Sequence, residues 1–229
     1  MKENNIAIAI DGPAAAGKST VAKIIAEKLS YIYIDTGAMY RALTLKALNE
    51  GINMEDKDAI VGLLMNTEIN LKQSFDGQMV LLDGLDVTKE IRYQDVTTRV
   101  SYVAKHAPVR TEMVKRQQEM AKNRGVVMDG RDIGTHVLPN AEVKIFLVAT
   151  VVERAKRRYE ENVKKGIASN IEILKNEIEE RDRIDSNREA SPLIKASDAI
   201  EVDTTSLSII QVAERILDEV AKVKGPKLK

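Results

Sequence analysis

The sequence predicts a three-layer α/β fold, in which helices cover both faces of a five-stranded parallel sheet. The first observation is that short apolar runs alternate with segments of helical periodicity, an order typical of parallel sheets. The second observation is that there are five such runs. They have the length and composition of buried strands and comprise Asn5–Ile10, Tyr31–Ile34, Val126–Asp129, Val143–Val148 and Ala199–Val202.

Helices are predicted where apolar residues recur at intervals of three and four. The segments are Lys18–Leu29, Gly37–Glu50, a stripe of Val96, Val100 and Val103, a stretch that Pro108 opens at its first position, Glu153–Lys165, Asn170–Arg188 and a final helix after Ser208. Gly51 suits a left-handed cap of the second segment. Ser208 with Gln211 is typical of a capping box. The many charges of Glu153–Lys165 indicate an exposed helix.

Residues Thr67–Ile91 interrupt this alternation. The segments Thr67–Leu71 and Met79–Leu82 have the apolar content of strands. Turn sequences follow at Asp76-Gly77 and Asp83-Gly84, which is typical of antiparallel hairpins. We therefore expect a small hairpin insertion within the α/β fold.

The composition excludes several kinds of site. The chain of 229 residues has 35 basic and 35 acidic residues, a balance that disfavours a strongly basic nucleic-acid surface. There is no cysteine and there are only two histidines, which excludes a disulfide framework and a multi-histidine zinc site. Neither a signal peptide nor a membrane-spanning stretch is apparent. We expect a cytoplasmic protein without nucleic-acid or membrane partners.

Residues 12–19 read GPAAAGKS and match G-x-x-x-x-G-K-[ST] between a predicted strand and a predicted helix. Such a loop curls so that its N–H groups, and the N-terminus of the following helix, face phosphate oxygens. Lys18 is placed to reach the β- and γ-phosphates, and Ser19 to ligate Mg²⁺. The sequence lacks the N-K-x-D motif of GTPases. The residues predicted to bind nucleotide are Gly12, Pro13, Ala14, Ala15, Ala16, Gly17, Lys18, Ser19 and Thr20.

The segment Asn170–Arg188 carries a stripe that changes from apolar to charged without changing direction. Its apolar half is Ile171, Leu174 and Ile178, and the same spacing continues to Arg181, Asp185 and Arg188. Buried charge is costly unless it is paired or bound to a ligand. The charged half therefore either emerges into solvent, with Arg181 and Asp185 as a surface pair, or faces a polar cavity. The spacing alone does not distinguish the two.

Several segments resemble the bacterial cytidylate kinase family. They are IAIDGPAAAGKST at 8–20, IDTGAMYR at 34–41, VSYVAKHAPVR at 100–110, MDGRDIGT at 128–135 and ERDRIDSNREASPL at 180–193. The resemblance implies a single phosphate-loop kinase domain, and we expect the protein to be a monomer. Its core would comprise about 1–62, 94–150 and 170–229, with an acceptor-side insertion at about 63–93 and a short lid at about 151–169.

The resemblance also implies a reaction and roles for individual residues. ATP would phosphorylate CMP and dCMP to CDP and dCDP with the help of Mg²⁺. Lys18, Arg131 and Arg188 would be catalytic. The acceptor phosphate would contact Arg41, Arg131 and Arg188, with Arg181 and Asp185 near the sugar and phosphate. The cytosine would be surrounded by Thr36, Ser101, Arg110 and Asp132, and ATP covered by the lid arginines Arg154, Arg157 and Arg158.

Other interpretations of these residues remain open from the sequence. Arg41 and Ser101 could lie on exposed helix surfaces, and the lid arginines could pair with neighbouring glutamates in solvent. Either Asp35 or Asp129 could hold a water of the Mg²⁺ shell. The acceptor could instead be UMP or shikimate. A less favoured alternative is a nucleotide-dependent nucleic-acid-binding protein.

Overall fold

The computed structural model describes residues 5–74, 77–122, 125–164 and 166–225. Its strands are β1 (Ala7–Asp11), β2 (Ile32–Asp35), β3 (Ile69–Ser74), β4 (Gly77–Leu82), β5 (Leu85–Asp86), β6 (Val126–Gly130), β7 (Val143–Val148) and β8 (Ile200–Asp203). Its helices are α1 (Lys18–Leu29), α2 (Thr36–Asn49), α3 (Lys57–Met65), α4 (Gln94–Ala104), α5 (Ala107–Ala121), α6 (Val151–Lys164), α7 (Ile171–Asn187) and α8 (Ile209–Lys224).

Five strands form one parallel sheet in the order β2-β6-β1-β7-β8. Successive residues of a strand point to opposite faces. Ile8 of β1 therefore packs with residues of α1 and α8, whereas Ala9 belongs to the apolar cluster on the other face. Because helices bury both faces, the strands are apolar along most of their length. The prediction of a three-layer fold with a five-stranded parallel sheet is confirmed.

Strands β3, β4 and β5 form a separate antiparallel sheet, which confirms the predicted hairpins. The turn between β4 and β5 has Asp83 at φ +49° and Gly84 at φ +84°, the left-handed dihedrals that a two-residue hairpin turn requires. The other predicted turn includes Asp76, which lies outside the described residues. Gln73 and Gln78 fasten this small sheet to the main one by donating to the carbonyl of Tyr33 on the edge strand β2.

The predicted helix ends are largely confirmed. Gly51 has φ +66° just after the cap of α2. The side chain of Asn170 accepts hydrogen bonds from two amides in the first turn of α7. Ser208 and Gln211 make both halves of the capping box at α8. Local hydrogen bonding thus sets the boundaries of the helices that flank the sheet.

Other helix predictions were wrong. Ile171 is 38% exposed, because it is the first residue of α7 and no preceding helical turn covers it. The segment Glu153–Lys165 was predicted to be an exposed helix, and its described residues lie in α6. Arg154 is nevertheless buried, because its side chain turns towards the phosphate loop. Lys165 lies outside the described residues. Pro108 occupies the second position of α5, where its missing N–H is equally harmless.

Helix α3 was not predicted at all.

Over the part of the chain that the structure describes, no helix is both long and apolar enough to cross a membrane.

Candidate active site

The phosphate loop joins the end of β1 to the start of α1. Gly12 has φ +145° and Gly17 has φ +89°, which favour glycine. A Cβ at position 12 would lie 2.2 Å from the carbonyl oxygen of Leu147 on β7, so a larger residue does not fit there. Ala15 is left-handed as well, at φ +57°, which costs a residue with a Cβ about 1–2 kcal/mol. The loop therefore has a constrained and locally strained backbone.

The Lys18 side chain folds back over its own loop. Its Nζ donates to the carbonyl oxygen of Pro13 at 2.6 Å. Burial, followed by the Arg131 guanidinium, lowers the pKa of Lys18 well below its usual value, and Asp129 opposes this shift. An ammonium group in this environment would be stabilised by an anion beside it.

Asp129, at the end of β6, contacts the first turn of α1. Its carboxylate accepts hydrogen bonds from the hydroxyls of Ser19 at 2.9 Å and Tyr33 at 2.7 Å. Burial and the nearby Asp35 carboxylate raise the pKa of Asp129. A hydroxyl and a carboxylate therefore lie side by side next to the phosphate loop.

Asp35 joins β2, α2 and the turn that follows the insertion. It caps α2 by accepting the Ala38 amide at 2.8 Å. Arg41 Nη2 lies 3.1 Å and Arg92 Nη2 lies 2.7 Å from the same carboxylate oxygen. Burial acts to raise the pKa of Asp35, but the two arginines and the amide outweigh it and lower the pKa to about 2. Two guanidinium groups thus converge at the same sheet edge as the phosphate loop.

A second buried cluster is built around Asp132. Arg110 Nη2 donates to Asp132 Oδ2 at 2.5 Å, and Arg188 Nη2 lies 3.7 Å from Asp132 Oδ1. The Arg110 guanidinium lies 5.2 Å from the centroid of the Tyr40 ring. Burial and the Arg110 charge lower the pKa of Arg188. The cluster therefore offers a buried carboxylate next to buried guanidinium donors.

Asp185 connects this cluster to the loop after β6. It accepts hydrogen bonds from Ser101 Oγ at 3.0 Å and from Arg131 Nε at 2.9 Å, and Arg188 Nη1 lies 3.8 Å away. Burial acts to raise the pKa of Asp185, but Arg131, Arg181 and Arg188 outweigh it and lower the pKa. Burial and the Arg131 charge lower the pKa of Arg181 to about 9. The charged half of the α7 stripe therefore faces a polar cluster.

Sequence comparison identifies the family. A family model described as cytidylate kinase matches residues 8–222. The chain belongs to the cytidylate kinase family. The cytidylate kinase of Oceanobacillus iheyensis is 66% identical over 220 residues, which cover 96% of each chain. That of Bacillus subtilis is 63% identical over 218 residues, which cover 95% of this chain and 97% of the relative.

A solved structure, that of an uncharacterized protein from Eubacterium ventriosum, resembles this one in fold. The TM-score is 0.52 at 12% sequence identity, and the alignment covers 96% of this chain and 99% of the other. At that identity the likeness concerns the fold alone.

Most of the residues that were predicted to surround the cytosine lie together. Arg110 contacts Asp132, and Ser101 reaches the same cluster through Asp185. Both Ser101 and Arg41 are buried, so neither lies on an exposed helix surface. Thr36 differs from the other three, because its hydroxyl donates to the main-chain carbonyl of Asp129 at 2.8 Å.

The three arginines that were predicted to form a lid have different environments. Arg154 is buried, and its guanidinium donates to the carbonyls of Ala14 and Ala149, both at 3.0 Å. Arg157 contacts Glu153 and Thr204 at 2.5–3.0 Å. Arg158 lies 3.9 Å from Glu161. The predicted glutamate partners are therefore found for the last two, whereas Arg154 turns inwards.

Sequence reasoning missed Arg92 and Asp182. Arg92 lies in a short turn without periodicity, and it meets Asp35 across 57 positions of sequence. Asp182 directly follows Arg181 and is therefore not one of the positions in the stripe of α7. Its carboxylate contacts the phosphate loop at Ala14. The presence of an acidic residue between stripe positions was the only signal in the sequence.

Proposed function

We propose that this member of the cytidylate kinase family transfers the γ-phosphoryl group of ATP to CMP and dCMP, giving ADP and CDP or dCDP. The observation that carries the proposal is the buried contact between Arg110 and Asp132, 2.5 Å long, beside Arg188. Asp132 of this cluster directly follows Arg131, whose charge acts on Lys18 of the phosphate loop. A base-reading group and a phosphate-binding group are thereby connected.

The chemistry of the cluster suits cytosine. Cytosine has a 4-amino donor where uracil has a carbonyl, and its N3 accepts where that of uracil donates. Asp132 supplies an acceptor for the amino group and Arg110 supplies a donor for N3, while Ser101 serves as either. With UMP in the same place, an acceptor would face a carbonyl and a donor would face an N–H. Unpaired buried polar groups are costly, so UMP would bind less well.

The acceptor phosphate would be held by the guanidinium groups near Asp35 and Asp185. Burial lowers the pKa of Arg41 to about 10, and Arg181 is affected in the same way. An anion among these groups would relieve both the burial cost and the repulsion between neighbouring cations. We propose that the phosphate contacts Arg41, Arg92, Arg131 and Arg188, with Arg181 and Asp185 near the sugar and phosphate.

Catalysis in this site requires no general base, because the attacking oxygen belongs to a phosphate that is largely ionised at neutral pH. Alignment of the two substrates and stabilisation of charge in the transition state are therefore the main tasks. Lys18 and Arg131 are suited to these tasks, since both are cationic and lie close enough for the Arg131 charge to lower the pKa of Lys18. Arg158 has the longest ion pair of the three lid arginines, and we propose that it turns towards ATP.

Magnesium fits the oxygen groups beside the phosphate loop. Ser19 and Asp129 present a hydroxyl and a carboxylate that lie 2.9 Å apart, and hard oxygen donors suit Mg²⁺. The described part of the chain contains no cluster of three or more potential metal ligands, so the ATP phosphates would complete the site. Bound Mg²⁺ would neutralise charge on the β- and γ-phosphates. Asp35 is less suitable, because two arginines already hold its carboxylate.

The test is a screen of acceptors with ATP and Mg²⁺. ADP formation is measured with CMP, dCMP, UMP, AMP, GMP and shikimate, with an acceptor-free reaction as the control for ATP hydrolysis. We expect kcat/KM for CMP and dCMP to exceed that for UMP by at least about 10-fold. Preference for UMP or shikimate, or no turnover with CMP, would show the proposal to be wrong. All the residues invoked lie in one chain, and we propose that a monomer is active.

A further inference from the structure

Two side chains from outside the phosphate loop hold the peptide groups of Ala14. Its N–H donates to Asp182 Oδ1 at 3.2 Å, and its carbonyl accepts from Arg154 Nη1 at 3.0 Å. The same Arg154 nitrogen lies 2.6 Å from Asp182 Oδ2. The loop, α6 and α7 are therefore joined in a closed ring of contacts.

We propose that Asp182 is a positioning residue for ATP, which acts through Arg154 and Ala14 to hold the phosphate loop in the shape that binds phosphate. The inference rests on the proposed function, in that ATP is taken as the ligand of this loop. It also gives Arg154 a role different from direct contact with ATP.

The strain at Ala15 explains why the loop needs this support. Ala15 has φ +57°, a conformation that alanine adopts only when its surroundings impose it. Asp182 holds the Pro13–Ala14 peptide through the Ala14 N–H, and Arg154 holds the Ala14–Ala15 peptide through the Ala14 carbonyl. The carbonyl of the Pro13–Ala14 peptide is held by Lys18, a residue that ATP itself would engage. Support from Asp182 does not depend on the ligand, so it can prepare the loop in advance.

The geometry of Arg154 favours this role over direct binding of ATP. Its side chain is 5% exposed, and its donors are directed at Ala14, Ala149 and Asp182. These contacts engage Nε and Nη1, so the protein itself fixes the position of Arg154 before any phosphate binds.

Helix α7 carries residues of both proposed substrate sites, and Asp182 belongs to the ATP side. Its neighbours Arg181 and Asp185 belong to the cluster proposed for the acceptor, whereas Asp182 contacts the phosphate loop. A substitution at this one position should therefore affect ATP much more than CMP, although the helix serves both.

The experiment measures binding at equilibrium, by calorimetry, of ADP and of a non-hydrolysable ATP analogue, and separately of CMP. Asp182→Ala is expected to weaken binding of the ATP analogue by about 10-fold or more, the effect of losing a hydrogen bond to a charged group. Binding of CMP is expected to stay within about 2-fold. Asp182→Asn, which keeps the shape and one acceptor oxygen, is measured beside it because the alanine variant leaves a buried arginine unpaired.

The matched control is Glu180→Gln, which removes an exposed carboxylate two residues away that also pairs with an arginine, Arg183, at 2.7 Å. It should leave both affinities unchanged. Arg154→Ala should weaken binding of the ATP analogue as much as Asp182→Ala does. The double variant should bind the analogue no more weakly than the weaker-binding single variant, because each substitution breaks the same ring of contacts.

Three outcomes would overturn the proposal. One is a folded Asp182→Asn or Asp182→Ala variant that binds the ATP analogue normally. Another is an equal loss of affinity for the ATP analogue and CMP, as expected if Asp182 only stabilises the fold. The third is a double variant whose loss of affinity for the ATP analogue equals the product of the two single-variant losses, as expected if Arg154 binds ATP independently of Asp182. Binding of the ATP analogue is measured without turnover, so a wrong acceptor assignment would leave this arm intact and would show itself as absent CMP binding by the wild type.

Discussion

Asp11 should make the stability of the protein depend on pH, and Asp11→Asn should remove this dependence. The buried carboxylate at the end of β1 accepts the amides of Ile133 at 2.8 Å and Gly134 at 2.7 Å. Burial nevertheless raises its pKa from 3.8 to about 6. The folded state thus binds this proton more tightly than the unfolded chain. The resulting stabilisation is fully present below pH 3.8 and is lost as the pH rises through 6.

The size of the effect follows from this pKa. One pKa unit corresponds to about 1.4 kcal/mol, so the shift of Asp11 corresponds to about 3 kcal/mol in total. Linkage places about 1.3 kcal/mol of this loss between pH 5 and pH 7. For an m-value of roughly 3 kcal/mol per molar urea, the unfolding midpoint would move by about 0.4 M.

The assay is urea unfolding of the wild-type protein and Asp11→Asn at pH 5, 6 and 7, followed by circular dichroism. Asparagine does not titrate, and the difference between the two proteins cancels the contribution of other carboxylates. We expect the wild type to lose about 1.3 kcal/mol relative to the variant across this range. A difference that stays constant with pH, or a wild type that gains stability relative to the variant, would show that the pKa of Asp11 is not raised in the folded state.

Three further predictions concern the loop and α7. Lys18→Ala should lower kcat by about 100- to 1,000-fold. The thermal midpoint should not fall, because the lowered pKa of Lys18 reflects a cost of burial. Near-normal turnover at saturating ATP would contradict the catalytic role of Lys18. Ile178→Ala should lower the free energy of unfolding in urea by about 2–5 kcal/mol, because Ile178 is buried. Ile173→Ala, on the same helix but 58% exposed, should change it by no more than about 0.5 kcal/mol. Equal losses for the two variants would contradict the observed packing of α7. Ala15→Gly should raise stability by up to about 1 kcal/mol by relieving the left-handed alanine, and a loss in thermal denaturation would argue against strain there.

Features that depend on neighbours in sequence could be predicted well. The phosphate loop is recognisable because its glycines must adopt dihedrals that other residues avoid, as Gly12 and Gly17 do. The strands are recognisable because a sheet covered on both faces requires continuous apolar runs. The stripe on α7 was informative because spacing fixes which residues share a face, and Asp185 and Arg188 lie on the same face as Leu174.

Features that depend on contacts between distant segments could not be predicted. Arg154 meets Ala14 across 140 positions of sequence, and nothing in the highly charged α6 segment distinguishes this arginine from its neighbours. The convergence of Arg41 and Arg92 on Asp35 likewise depends on how the insertion returns to the main sheet. Whether a charged residue is solvated or buried is decided by the tertiary structure, so the composition of a helix is a poor guide to it.

The proposed preference for CMP depends on recognition of the cytosine by the Arg110–Asp132 pair. The most direct test measures kcat/KM for CMP and UMP with the wild-type protein and with Asp132→Asn, which preserves the size of the side chain between Arg110 and Arg188. Binding of ADP and the thermal midpoint serve as controls for the intact fold and phosphate loop. A hydrogen bond to a charged group is worth about 1.5–3 kcal/mol, so the preference for CMP should shrink by roughly 10- to 150-fold.

We expect this loss to come from slower phosphorylation of CMP, with phosphorylation of UMP unchanged or improved, because the amide of asparagine can donate to the carbonyl of uracil. An equal decrease of kcat/KM for CMP and UMP would rule out base reading by Asp132, since it would mean that Asp132 only supports the phosphate-binding arginines.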